Sequence, residues 1–497
     1  MGIVRTQSIV GSFLIYLGAG LGFVTSALLL PHYLDAEQIG LINLLITYGA
    51  LFAQLASAGF TNTITKMFPY FRNDEQQHNG FLFLTIAVVA VASVITMGAF
   101  FILYPYIVNN SSEGVNLMNE YALLIIPMFL FTALFNIFDY YTKALYNATR
   151  GILLKEVVLR IFALLLIVFY IFKVIDYNQF VYWYVATYGI ILLLMIVPLF
   201  FEKQLSLKPN FSLIDRPMAK ELLRVSIFGI IISSTNIIVV NIDRIMIEKL
   251  AIDNPLAQVG IYSTCSYFAT MVILAGRPLQ KISSTLIAEA WKRKDMLQLQ
   301  TLYTKSSITQ LIIGALVFFG LCVNLDYIFQ IIPEKYESGK WVIIFLGLMS
   351  LSDMAAGVNK DIVSNSPNYE KLSHWTVGLI IGIVILNIIF IPTYGITGAA
   401  ISSCIARIIY NYVAFHYVYK KFNLQPYSFA HIKILLIGTI ASGLCYIIPE
   451  TDFLIANILI KSGVLTLLFC IGIYASHVSE DVDELTDGAL KKIGFKK

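Results

Sequence analysis

Residues 222–248, LLRVSIFGIIISSTNIIVVNIDRIMIE, are long enough to cross a bilayer, yet they carry Ser233, Ser234, Thr235, Asn236, Asn241, Asp243 and Arg244. At a helical advance of about 100° per residue, all of these except Thr235 fall within about half of the circumference. The other half is mostly Ile, Val, Leu and Phe. Such a helix faces lipid or packed protein on one side and something wet on the other. It lies near the middle of the chain after a charged loop. It reads as the first helix of a second half, lining a polar passage between two halves.

Apolar runs of roughly 18–25 residues recur along the whole chain and predict about fourteen spans. They fall at 8–31, 39–63, 81–105, 120–146, 155–174, 180–202, 222–248, 257–281, 306–332, 340–363, 374–392, 395–418, 431–449 and 453–477. Composition agrees: 58% of residues are hydrophobic and 13% charged, against about 25% charged in a soluble domain. The fold class is an all-α polytopic membrane protein, and the first run is too long for a signal-peptide core. Residues 36–41, AEQIGL, match 256–261, LAQVGI, which suggests an internal repeat. The organisation expected is an N-terminal lobe of six helices (1–210), a C-terminal lobe of six (211–425), and a closing pair with a cytoplasmic tail (426–497).

Charge then sets orientation. With the N-terminus inside, most of the 34 Lys and Arg fall in inward segments, and the outward ones hold only Lys173, Lys249, Lys335 and Lys340. That bias places both termini in the cytoplasm. The basic residues lie in short loops, so they are no nucleic-acid signal. The longest outward loop carries Asn-x-Ser patterns at Asn109 and Asn110. The inward stretch 283–303 is amphipathic and suits either a membrane-surface helix or a plain connector. Gly18 with Gly22, and Gly378 with Gly382, have the spacing of close helix packing. The five cysteines fall in apolar runs without metal-ligand spacing, and no Walker A motif or other cofactor signature occurs.

Candidate chemistry lies in the charges within spans: Lys143, Arg160, Arg224, Arg244, Arg277, Lys360, Arg407 and Lys461, with Asp139, Asp243, Asp353 and Asp361. Burying such groups costs at least ~2.5 kcal/mol each at mid-span, so they face a passage or a partner. Asp139 and Lys143 stand four apart on one helix and pair naturally. Arg277 and Arg407 have no carboxylate within four residues. The surplus of cations suggests an anionic cargo, and the Arg fork suits phosphate. The candidate substrate-binding set is Arg277, Arg407, Arg244, Arg160, Lys143 and Asn236. Asp353 and Asp243 are candidates for ion coupling. Tyr140 and Tyr141 suit either sugar stacking or interfacial anchoring.

The segment 386–400, LNIIFIPTYGITGAA, resembles the signature of polysaccharide biosynthesis flippases, within the superfamily of multidrug, oligosaccharidyl-lipid and polysaccharide exporters. NIDRIMI at 241–247, VGIYS at 259–263 and KMFPYFR at 66–72 extend the resemblance. It implies two six-helix lobes around a central cavity. It implies flipping of an undecaprenyl-diphosphate-linked oligosaccharide across a bacterial cytoplasmic (inner) membrane, with membrane lipids, a polysaccharide polymerase and chain-length proteins as partners. Relatives that flip the peptidoglycan precursor carry cations in the first span, whereas 8–31 has no Lys or Arg. That points to an O-antigen, capsule or exopolysaccharide unit. The competing functions are a drug or metabolite antiporter of the same fold, whose site should be acidic or apolar, and a membrane polymerase or glycosyltransferase. The enzyme would need catalytic carboxylates or Arg in a sizeable outward loop, and the longest one has only Glu113 near its middle.

Overall fold

The structure is a computed structural model that describes residues 2–73, 75–108, 117–210, 212–479, 481–484 and 487. Asn109, Asn110 and the basic C-terminal residues from Lys491 onward therefore lie outside the described residues. The described chain is helical and without strands. In order, the main helices are α1 (Gly2–Phe23), α2 (Ala36–Ala56), α3 (Phe60–Phe71), α4 (Phe81–Val108), α5 (Ile125–Ala144), α6 (Leu159–Ile171), α7 (Tyr177–Phe201), α8 (Arg216–Leu250), α9 (Pro255–Leu274), α10 (Arg277–Arg293), α11 (Met296–Val323), α12 (Lys340–Ala355), α13 (Glu370–Phe422), α14 (Phe429–Cys445) and α15 (Leu454–Ala475).

Ten helices among the described residues are long and apolar enough to cross a membrane, against the expected count of about fourteen. The difference lies in four places. α13 is one run in which two spans meet at Gly395, whose φ of 56° only glycine adopts readily. Pro392 precedes this turn, at the break between the expected spans 374–392 and 395–418. α12 and α14 have only 16 and 17 residues. The helical stretch through 149–171 carries Arg150, Lys155, Glu156 and Arg160. The protein is a multi-pass membrane protein.

Two compact units form, Met1–Ser263 and Thr264–Lys497, with the boundary inside α9. In the first, α2 packs on α4, α5 and α8, and α3 packs on α5 and α8. The starts of α2 and α7 are fixed by capping boxes, Asp35 with Gln38 and Asp176 with Gln179. Phe68, Phe71, Phe81 and Tyr141 are fully buried between α3, α4 and α5. In the second, α12 packs on α11 and α13, and α14 packs on α11 and α15. α10 buries Ile287 and Ala290 against Tyr303, Val358 and Val418, with Trp291 edge-on to Phe422 at 5.1 Å. Protein covers Ile287, Ala290 and Trp291, while Leu286 and Leu297 stay exposed.

The two copies of the sequence repeat touch each other. A Cβ added at Gly40 would lie 1.9 Å from the Leu256 carbonyl, and one at Gly260 would lie 1.9 Å from the Ala36 carbonyl. Gly40 aligns with Gly260 and Ala36 with Leu256, so the contact is reciprocal, as at a local two-fold axis. Gly40→Ala and Gly260→Ala should each destabilise by about 1–3 kcal/mol, because the backbones must separate. Thermal unfolding of the purified protein would show it, and an unchanged midpoint in either variant would refute the need for close approach. Gly18 and Gly22 likewise admit the Glu156 backbone and the Arg160 side chain. Gly378 faces open space and Gly382 has only Ala406 at 3.9 Å, so the second GxxxG pair does not mediate close helix packing.

Candidate functional site

A polar cavity of about 380 Å³ opens within the first unit. α5 presents Asn136, Asp139, Tyr140 and Lys143 to it, a spacing of three and four that puts them on one helical face. Lys143 Nζ donates to Asp139 Oδ2 at 2.6 Å and stands 4.7 Å from the Tyr140 ring centre. The expected intrahelical pair is therefore formed, and Tyr140 belongs to the cavity. Tyr141 does not: it is buried, and its hydroxyl donates to the Gln204 carbonyl at 3.1 Å.

The opposite charges come from a π-helical segment, Leu153–Val158, which leads into α6. A π turn holds one more residue than an α turn and re-aims the side chains within it. It carries Lys155 and Glu156 into the cavity wall. Arg160 donates to Glu156 Oε2 at 2.8 Å and also to the Gly18 carbonyl of α1. Arg160 thus acts on the cavity through Glu156. α8 adds Ser233, Asn236 and Ile237, while α2 and α3 add Gln54 and Thr61. Ser233 is held by Asn62 Nδ2 at 2.7 Å.

The electrostatic balance of the wall is uneven. Asp139 is neutralised by Lys143, and Glu156 by Arg160. Lys155 is exposed and has no carboxylate partner among the described residues. Asp139 Oδ1 and Gln54 Nε2 are buried without a hydrogen-bond partner, a costly arrangement unless water or a ligand satisfies them. Among the described residues the wall therefore offers a cation without an ion partner, paired charges and an open amide N–H, which together suit a polar, anion-bearing guest.

Of the sequence candidates, Lys143 and Asn236 meet in this cavity. Asp243 and Arg244 are held elsewhere in the same unit. Tyr262 donates to Asp243 Oδ2 at 2.6 Å. Arg244 donates to Ser263 Oγ at 3.0 Å and to Asn241 Oδ1 at 3.1 Å. Beyond them, buried Glu248 accepts from Tyr48 at 2.6 Å and from Lys249 at 2.8 Å, a cluster that sequence reading missed.

In the second unit Asp353 of α12 gathers a separate group. It accepts from Lys360 Nζ at 3.2 Å and Asn411 Nδ2 at 2.9 Å, and forms an ion pair with Arg407 Nε at 3.3 Å. One carboxylate thus serves two cations. The terminal nitrogens of Arg407 have no partner among the described residues, so its fork is held at one end and open at the other. Arg277 is not deep in a helix: α9 ends at Leu274, and Arg277 is the exposed first residue of α10. Lys461 is paired with Glu450 at 3.1 Å. Hydrogen bonds from Tyr327 and Lys461 hold the Glu450 carboxyl below the usual glutamate range.

Two units of membrane-spanning helices, with charged residues gathered inside each, define a helical multi-pass membrane protein. Residues 5–275 match the family described as polysaccharide biosynthesis protein, and the chain belongs to that family. Its fold is similar to that of the lipid II flippase MurJ in an inward closed conformation, with a TM-score of 0.73, 15% identity, and 95% of this chain and 100% of that one covered. It is similar too to an inward-facing multidrug resistance MATE family transporter of the MOP superfamily, with a TM-score of 0.64, 16% identity, and 83% and 94% covered. At these identities the likeness is one of fold. Comparison with curated proteins finds no match.

Proposed function

We propose that this protein is a flippase. Its cargo is an undecaprenyl-diphosphate-linked oligosaccharide repeat, moved across the bacterial cytoplasmic membrane by alternating access for surface polysaccharide synthesis. The observation that carries this reading is the polar cavity of the first unit, whose wall holds a lysine without an ion partner among the described residues, beside neutralised charges. A drug antiporter for cations would leave a carboxylate free instead. Family membership and the transporter fold support the same reading.

In this reading Lys143, Lys155 and Asn236 contact the polar head of the cargo, and Arg160 positions Glu156. Arg407 offers its open fork to the diphosphate or an acidic sugar. Arg277 and Arg244 receive the anion at other stages, and Asp353 or Asp243 carries a coupling ion. Helices before residue 210 form one lobe, those of 211–425 the second, and 426–497 the closing pair and cytoplasmic tail. Both termini are cytoplasmic, and the polymerase and chain-length proteins receive the flipped O-antigen, capsule or exopolysaccharide unit. Deleting the gene should abolish surface polysaccharide and leave lipid-linked repeat units accumulated, and the intact gene should restore both. Unchanged polysaccharide together with raised sensitivity to cationic drugs would reassign the protein to drug export.

A further inference from the structure

A second cavity, of about 430 Å³, lies in the first unit where Tyr33, the end of α6 and the start of α7 meet. Lys155 and Tyr170 are fifteen residues apart along one helical stretch, or about 22 Å, so this cavity is distinct from the polar one. Its wall includes Tyr33, Tyr170, Tyr177, Lys173, Asp176 and Ile171. The charges are unspent. Lys173 has no carboxylate partner among the described residues. Asp176 uses Oδ1 to cap α7, accepting from Gln179 N at 2.7 Å, and its Oδ2 has no partner there. The Tyr177 hydroxyl donates to the Gln38 carbonyl at 3.2 Å, while those of Tyr33 and Tyr170 make no hydrogen bond among the described residues.

The neighbours say what medium this cavity meets. Phe172 and Val174, beside Lys173 in the turn, are 75% and 67% exposed. Large apolar side chains so exposed at the ends of spans belong against lipid rather than water, and Tyr and Lys are the residues of the membrane interface. A cavity with one cation, one carboxylate and three phenol rings, opening at that level, complements a zwitterion. We propose that it binds the phosphoethanolamine headgroup of a membrane phospholipid. The phosphate pairs with Lys173. The primary ammonium donates to Asp176 and lies over phenol rings, where a cation is attracted within about 6 Å of a ring centre. A phosphoglycerol headgroup lacks the ammonium, and a choline headgroup lacks its N–H donors.

The test is lipid binding to the purified full-length chain, read by native mass spectrometry after delipidation. The probes are phosphatidylethanolamine, phosphatidylglycerol and phosphatidylcholine with matched acyl chains. The ethanolamine lipid should be held most tightly. Asp176→Asn keeps the helix cap, since Asn caps as well as Asp, and should weaken ethanolamine-lipid binding about three- to tenfold without changing that of the glycerol lipid. Lys173→Gln should weaken both. Thermal unfolding without lipid should match the wild type. Equal affinity for all three lipids, or an Asp176→Asn variant that binds the ethanolamine lipid normally, would overturn the proposal. None of these readouts depends on what the protein transports.

Discussion

Asp353→Ala should remove most of the protein from the membrane, with a stability loss of about 3–5 kcal/mol, the range seen when one partner of a buried ion pair is deleted. The side chain is only 10% exposed and faces Lys360 and Arg407 together. Both cations also stand beside the Tyr410 ring, at 5.2 and 5.8 Å from its centre. Without the carboxylate, two like charges remain close together in a site with little water. Adding Lys360→Met removes one of them, so the double variant should recover part of the lost abundance. Two groups that share a partner are expected to couple in this way. Arg407→Ala should be milder, because Asp353 keeps Lys360 and Asn411. Membrane abundance and thermal unfolding of the four proteins would decide it. Wild-type abundance of Asp353→Ala would refute the anchoring role. Full abundance of Asp353→Asn with transport abolished would assign the carboxylate to ion coupling instead.

This cluster shows where sequence reading stops. Asp139 and Lys143 are four apart on one helix, so their pair could be read directly and is formed. Arg407 has no carboxylate near it in sequence, and its partner comes from another helix. Periodicity does not carry that information. Lys155 was missed for a different reason. In sequence it stands at the very start of the span 155–174, where an inward cation needs no further explanation, and a π turn leaves no mark on a period of 3.6 residues. Glu156 and Arg160 did carry a signal, their spacing of four, but a cation flanked by loop residues hid it. The repeat at Gly40 and Gly260 was visible as four like residues in six, and its meaning appeared only when each glycine was found against the backbone of the other copy. The turn of Pro392 and Gly395 was fully legible, because those residue types each restrict or free the backbone in a known way.

Lys155 is the residue whose loss should separate transport from folding. It has no ion partner among the described residues and it is exposed within the cavity wall. Replacing such a residue usually changes stability by no more than about 0.5 kcal/mol. In the proposed function a charge-assisted contact of Lys155 with an anionic cargo would contribute roughly 1.5–3 kcal/mol, and each 1.4 kcal/mol or so is tenfold in affinity. Lys155→Gln should therefore reach the membrane in normal amount and flip at least about tenfold less. Lys155→Arg keeps the charge and should retain most activity. Lys143→Gln should behave differently, since it leaves Asp139 buried with neither oxygen paired and lowers abundance as well as transport. The measurement is restoration of surface polysaccharide in a strain lacking the gene, normalised to protein in the membrane. If Lys155→Gln is fully active while Lys143→Gln fails, the cavity charges only hold helices together. If Lys155→Gln alone is inactive at full abundance, the free cation of the π turn is where the cargo's negative charge is met.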